Sequence, residues 1–159
     1  MSLCELICKA GAAFIINDDI DLAMLVEADG VYVGQEDLPV AAVRRLVGEN
    51  MAIGLSTHAP EEARAAKKAG ADYIGVGPIF ATQTKDDVCA PVGLGYLEFV
   101  VREMDMPFVA IGGIKEHNLR DVAARGACCF ALVTAIVEAP DIQDRVRRLH
   151  AAIRDTSGR

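Results

Sequence analysis

Asn17, Asp18, Asp37, Ser56, the run Thr82-Gln83-Thr84-Lys85, the pair Gly112-Gly113 and the pair Val133-Thr134 have types and positions that could do chemistry. Asp18 and Asp37, with the Asn17 amide beside the first, make an oxygen-rich set suited to one hard divalent cation that keeps positions for an anionic ligand. Each also has a local reading. Asn17 and Asp18 would form a turn, and Asp37 would cap a helix ahead of Pro39. The Ser56 hydroxyl can donate to an anionic oxygen or cap the helix opened by Pro60, with Thr57 as the competing cap. Hydroxyls, amide hydrogens and the Lys85 ammonium in one loop suit closure over phosphates; a solvated polar loop is the alternative. Asp86-Asp87 follow directly and read as solvent-facing. Gly112-Gly113 would let a phosphate come close to the backbone, and the same pair also makes an ordinary turn. His58 sits near Ser56, while His117 and His150 fall in predicted helices as surface residues. There is no histidine cluster for zinc and no Ser/His/Asp set for a nucleophile.

These residues stand where short apolar strands stop. Strands are predicted over Ala13–Asn17, Val31–Gly34, Ala52–Ser56, Tyr73–Gly77, Phe108–Ile111 and Phe130–Thr134, nearly continuous in hydrophobicity as buried parallel strands are. Between them the spacing predicts helices. Pro60-Glu61-Glu62 opens one that closes on Lys67-Lys68 and Gly70. Leu94, Leu97, Val101 and Met104 keep helical spacing, and so do Leu119, Val122 and Ala123 ahead of Gly126. Asp141 is placed to cap a last helix whose apolar stripe is Ile142, Val146, Leu149 and Ile153. Residues Asp155–Arg159 read as a frayed tail, and Leu3–Lys9 as the end of a helix that feeds the first strand.

Strand–helix alternation at intervals of about twenty residues implies consecutive right-handed βαβ units in a parallel sheet, with every polar strand end on one rim. The expected architecture is α/β: one domain over residues 1–159, of the TIM (β/α)8-barrel kind. A complete barrel takes about 250 residues, so six units in 159 residues reads as six of eight, with the two N-terminal strands missing. Two open sheet edges would follow, and with them a homo-oligomer that covers one or both.

Composition narrows the partners. The chain is 52% hydrophobic but only 5% aromatic, a small aliphatic mixture that suits strands buried on both faces. A net charge of -7 without a basic cluster argues against nucleic acid. No apolar run reaches membrane-spanning length and no signal peptide opens the chain, so the expected location is the cytoplasm. The five cysteines are odd in number and lack metal-ligand spacing, which reads as buried thiols in a reducing compartment.

The segments Ala13–Asp18, Gly30–Pro39, Gly54–His58, Gly70–Lys85, Ala110–Ile114 and Val133–Ile136, in this order and spacing, resemble the thiamine-phosphate synthase family. The most specific stretch is Gly-Ala-Asp-Tyr-Ile-Gly-Val-Gly-Pro-Ile-Phe followed by Thr-Gln-Thr-Lys. The resemblance implies an eight-stranded barrel that joins a hydroxymethylpyrimidine diphosphate to a thiazole phosphate, giving thiamine phosphate and diphosphate with magnesium as cofactor. It also implies roles. Asp18 and Asp37 would be the magnesium ligands, and Asn17 and Ser56 would contact the pyrimidine substrate. Thr82, Gln83, Thr84, Gly113, Val133 and Thr134 would hold the thiazole phosphate, and Lys85 the diphosphate. Ser56 and Lys85 would be the catalytic pair. The family's Gln-x-Arg-x-Lys strand end, which binds the pyrimidine diphosphate, has no counterpart; Arg44-Arg45 lies on a predicted helix and does not replace it. Tyr32 stands where many relatives have histidine, and Thr134 where many have serine. Two alternatives share parts of the pattern: a thiazole tautomerase-like isomerase, and a non-catalytic module that binds thiazole phosphate.

Overall fold

The structure, a computed structural model, describes residues 3–84 and 89–157, with side chains through residue 154. Six strands form one sheet whose order follows the chain, from β1 to β6. Contacts divide the chain into two compact units. One comprises the residues up to Thr57 together with Glu61–Ile74; the other comprises His58–Pro60 and the residues from Gly75 onward.

The first unit contains α1 (Leu3–Lys9), β1 (Ile15–Asn17), α2 (Ile20–Leu25), β2 (Gly30–Val33), α3 (Val40–Val47), β3 (Ala52–Thr57) and most of α4 (Pro60–Ala69). β1 pairs in parallel with β2, and β2 with β3, in register Ile16↔Val31 and Tyr32↔Gly54. Alternation along β2 sets its two faces. Val31 and Val33 are fully buried in a core with Ile20 and Ala23 of α2, Val40 and Val43 of α3, and Ile53. Tyr32, between them, points to the opposite face. Asp19 ends β1 and starts α2 in one step, because its side chain accepts from the Leu22 N–H at 2.8 Å. Arg44 of α3 donates to the Gly48 and Met51 carbonyls at 2.8 and 2.7 Å and pairs with Asp72 at 2.5 Å. Asp72 in turn accepts from the Ile53 N–H at 2.7 Å, so one guanidinium pins α3, β3 and the turn before the next strand.

That next strand, β4 (Tyr73–Val76), is shared by the two units. The second unit continues with α5 (Gly93–Glu103), β5 (Phe108–Ile111), α6 (Leu119–Ala123), β6 (Phe130–Ala131), α7 (Thr134–Val137) and α8 (Ile142–Ser157). Leu97, Val100, Ala110, Leu119 and Val122 are buried there. Gly126, at φ 96, ends the α6 segment and leaves room for Val101 of α5. Asp141 caps α8 by accepting from the Asp144 N–H at 2.8 Å, as its position in the sequence implies.

Three expectations are corrected. The sixth strand stops at Ala131, and Thr134 opens a four-residue helix rather than ending a strand. The backbone of α8 runs through Ser157, so Asp155 to Ser157 belong to the helix, while residues 158 and 159 of the expected tail lie outside the described residues. The cysteines are free, but Cys8, Cys89, Cys128 and Cys129 are exposed and Cys4 is half-buried. Beside Cys128 and Cys129 it is Ala127 that is buried, Phe130 begins β6 half-buried, and α1 buries no residue.

Candidate active site

In the first unit the chemistry-bearing residues collect where β1, β2 and β3 end. Asn17 is the last residue of β1, and its amide donates to the Asp18 carboxylate. Asp18 has φ 66, in the left-handed region that aspartate tolerates better than most residues. Its N–H donates to the Tyr32 carbonyl at 2.8 Å, which anchors this turn to β2. Since Asp19 supplies the cap of α2, the capping role leaves Asn17 and Asp18 untouched.

Asp37 lies in the turn after β2 and is exposed. Its Oδ2 accepts from the Gly34 N–H at 2.7 Å, so the carboxylate folds back onto the end of its own strand. The alternative local reading, in which Asp37 caps a helix, fails, because α3 begins after Pro39 without any side-chain cap. Gln35, from the same turn, donates from Nε2 to the Ser56 carbonyl at 2.5 Å and ties the β2 turn to the end of β3. The sequence reading gave Gln35 no role; its place in Gly34-Gln35-Glu36-Asp37, directly after a strand, was the available signal. Thr57, the other candidate cap, is fully buried at the end of β3.

Two tyrosines line the same face. Gly54 lies opposite Tyr32 in the β2–β3 register, and the Tyr73 ring occupies the space a Gly54 side chain would need. The Tyr32 and Tyr73 rings therefore stack, with centroids 6.0 Å apart and planes 24° apart. Burial pushes the Tyr32 phenol above its ordinary value of 10.0, and the Asp18 charge pushes the same way. The nearby Ser56 hydroxyl pulls in the other direction. Even so, no group makes a hydrogen bond of acceptable geometry to the buried Tyr32 hydroxyl.

In the second unit two strand-end loops lie against each other. Beyond β4 the chain passes a cis Gly77–Pro78 bond. The Ile79 N–H then donates to the Ile111 carbonyl at 2.9 Å, and the Phe80 N–H to the Gly112 carbonyl at 3.1 Å. Gly112 and Gly113 have φ 91 and 64, and a Cβ on Gly113 would come within 2.6 Å of the Ala81 carbonyl oxygen. Glycine is thus required at Gly113 by both conformation and space. Asn118 fixes this turn, donating from Nδ2 to the Gly113 carbonyl at 3.0 Å while its Oδ1 accepts from the Lys115 N–H at 2.7 Å. The hydroxyls of Thr82 and Thr84 are hydrogen bonded at 2.9 Å, and Gln83 between them is exposed. Val133 is exposed and precedes α7, so Val133 and Thr134 present the first turn of a helix, where N–H groups lack intrahelical partners. Lys85, assigned to diphosphate, lies outside the described residues, as do Asp86 and Asp87. His117 and His150 are exposed, but His117 sits in the turn before α6 and not in a helix.

Residues 1–136 match the profile of a family described as thiamine monophosphate synthase. The chain belongs to that family. It is 65% identical over 149 residues to the thiamine-phosphate synthase of Pelotomaculum thermopropionicum, covering 94% of this chain and 68% of that protein. The thiamine-phosphate synthase of Lawsonia intracellularis is 54% identical over 145 residues, covering 91% of this chain and 67% of that one. Among solved structures, the thiamine phosphate pyrophosphorylase of Pyrococcus furiosus superposes with a TM-score of 0.88 at 35% identity, covering 97% of this chain and 73% of its own. A 3-hexulose-6-phosphate synthase from Salmonella typhimurium, at TM-score 0.70 and 16% identity, shares the fold alone. Membership makes the chain a transferase of thiamine biosynthesis with a TIM-barrel-like α/β fold, and neither the isomerase nor the binding-module reading gains support. Among the described residues, no helix is long and apolar enough to cross a membrane.

Proposed function

We propose that this chain joins a hydroxymethylpyrimidine diphosphate to a thiazole phosphate, releasing diphosphate and forming thiamine phosphate, on the strand-end residues described above. The observation that carries the reading is the convergence of Asn17, Asp18, Asp37 and Ser56 at the ends of three adjacent parallel strands. In this reading the carbon–oxygen bond to diphosphate breaks and the thiazole nitrogen bonds to the freed methylene carbon. Catalysis then consists of holding two rings in line and balancing charge on the leaving group.

The donor set fits magnesium. Asp18 and Asp37 are exposed carboxylates on adjacent strand ends, and no group of three His, Cys, Asp or Glu residues that could hold a metal by itself occurs among the described residues. Magnesium is characteristically bound by one or two carboxylates, with substrate phosphates and water completing its shell. When bound it would supply positive charge to the departing diphosphate. Asn17 and Ser56 would orient the pyrimidine half. Thr82, Gln83, Thr84, Gly113, Val133 and Thr134 would bind the thiazole phosphate through hydroxyls and N–H groups, and Lys85 would assist the leaving diphosphate. The six strands would correspond to six of the eight units of a TIM barrel. A homo-oligomer would cover the open edges.

The test is incubation with both substrates and magnesium, with chromatographic detection of thiamine phosphate. Product that requires magnesium supports the reading. Binding of thiazole phosphate without any product would overturn it.

A further inference from the structure

The Tyr32 hydroxyl is the one buried side-chain oxygen or nitrogen among the described residues for which no hydrogen-bond partner is found. Such a group forfeits about 1–3 kcal/mol of solvation, so its persistence calls for an explanation in function. Its surroundings give one. Tyr32 leaves β2 on the face away from the Val31 and Val33 core, and its ring is held by Tyr73 leaning over Gly54. Asp18 and Ser56 flank it. An aromatic platform beside the pyrimidine-side residues thus carries a phenol with a donor to spare.

We propose that the Tyr32 hydroxyl donates a hydrogen bond to an acceptor atom of the substrate's pyrimidine ring, making Tyr32 a specificity-determining residue for that half of the reaction. The inference rests on the reading of this chain as a thiamine-phosphate synthase. A ring nitrogen fits the setting better than a phosphate oxygen, since the stacked rings offer a flat apolar wall. A buried donor of this kind discriminates by leaving itself unpaired when an analogue lacks the acceptor.

The experiment is calorimetric titration of wild type and Tyr32→Phe, in magnesium, with hydroxymethylpyrimidine diphosphate and separately with inorganic diphosphate. The expected result is an affinity for the pyrimidine diphosphate about five- to tenfold weaker in Tyr32→Phe, the range of one neutral hydrogen bond, with inorganic diphosphate unchanged within about twofold. Thermal stability should be equal or higher, because the substitution removes an unpartnered polar atom and keeps the ring. A merely structural tyrosine would leave the affinity for the pyrimidine diphosphate unchanged. Equal affinities for the pyrimidine diphosphate, or equal weakening for both ligands, overturns the role of Tyr32 and leaves the synthase reading standing. Failure of wild type to bind either ligand sinks the synthase reading itself.

Discussion

At the scale of single residues, the proposed metal role falls on Asp18 and Asp37. Asp18 is held with φ 66, and Asp37 folds back on Gly34, while neither caps a helix. Replacing either carboxylate by its amide keeps the volume and removes the charge that a divalent cation needs. Asp18→Asn and Asp37→Asn should each raise the magnesium concentration for half-maximal product formation by about tenfold or more, measured by magnesium titration at fixed substrates. A shift below about twofold in both would remove the metal role. Gly54 makes a second prediction at this scale. A methyl group there displaces the Tyr73 ring, which can swing because it is the far end of a side chain. Gly54→Ala should fold, lose the near-ultraviolet circular dichroism of the stacked tyrosines, and bind the pyrimidine diphosphate more weakly by about tenfold. An unchanged spectrum would show that the stack does not depend on this glycine.

Elements are positioned by a few ionic staples whose partners lie far apart in sequence. Arg44, only 19% exposed, joins α3 to the carbonyls of Gly48 and Met51 and to Asp72. Arg44→Ala leaves Asp72 and those carbonyls short of a donor and should cost about 1–2 kcal/mol in urea unfolding, with the slope of the transition unchanged. In the second unit, Glu116 follows β5 and receives Arg148 and Arg145 from α8. The Arg148 hydrogen bond is the main cause that lowers the Glu116 carboxyl below its ordinary 4.5. A carboxyl depressed by folding adds stability above its unfolded value, and that contribution vanishes as pH falls below 4.5 through the lowered native value. Glu116→Gln should therefore melt at a lower temperature than wild type at pH 7, and the gap should close on acidification below 4.5. Both groups are solvent-exposed, so the gap should be small and shrink with salt. A gap that persists in acid would assign the effect to packing rather than charge.

For the whole molecule, β1 and β6 are the ends of a six-stranded sheet, and Leu3, Leu6, Leu22, Met24 and Leu25 are exposed apolar residues of α1 and α2. Light scattering at micromolar concentration should give a mass of two or more chains; a mass of one chain removes the proposed oligomer. The sequence by itself determined the number and order of the strands, since short, nearly continuous apolar runs such as Val31–Val33 and Phe108–Ile111 are what parallel strands require. It also determined α1 and the Asp141 cap, both set by neighbours within a few residues. It placed Asp18, Asp37 and Ser56 at strand ends for the same reason, because polarity returns where the sheet stops. Only the tertiary structure decided that Thr134 starts a helix and that the cysteines face outward. It alone revealed the Gln35 tie and the Tyr32–Gly54–Tyr73 arrangement. Those features depend on which side chain on a neighbouring strand fills, or leaves empty, a given space, and local pattern and propensity carry no record of that neighbour.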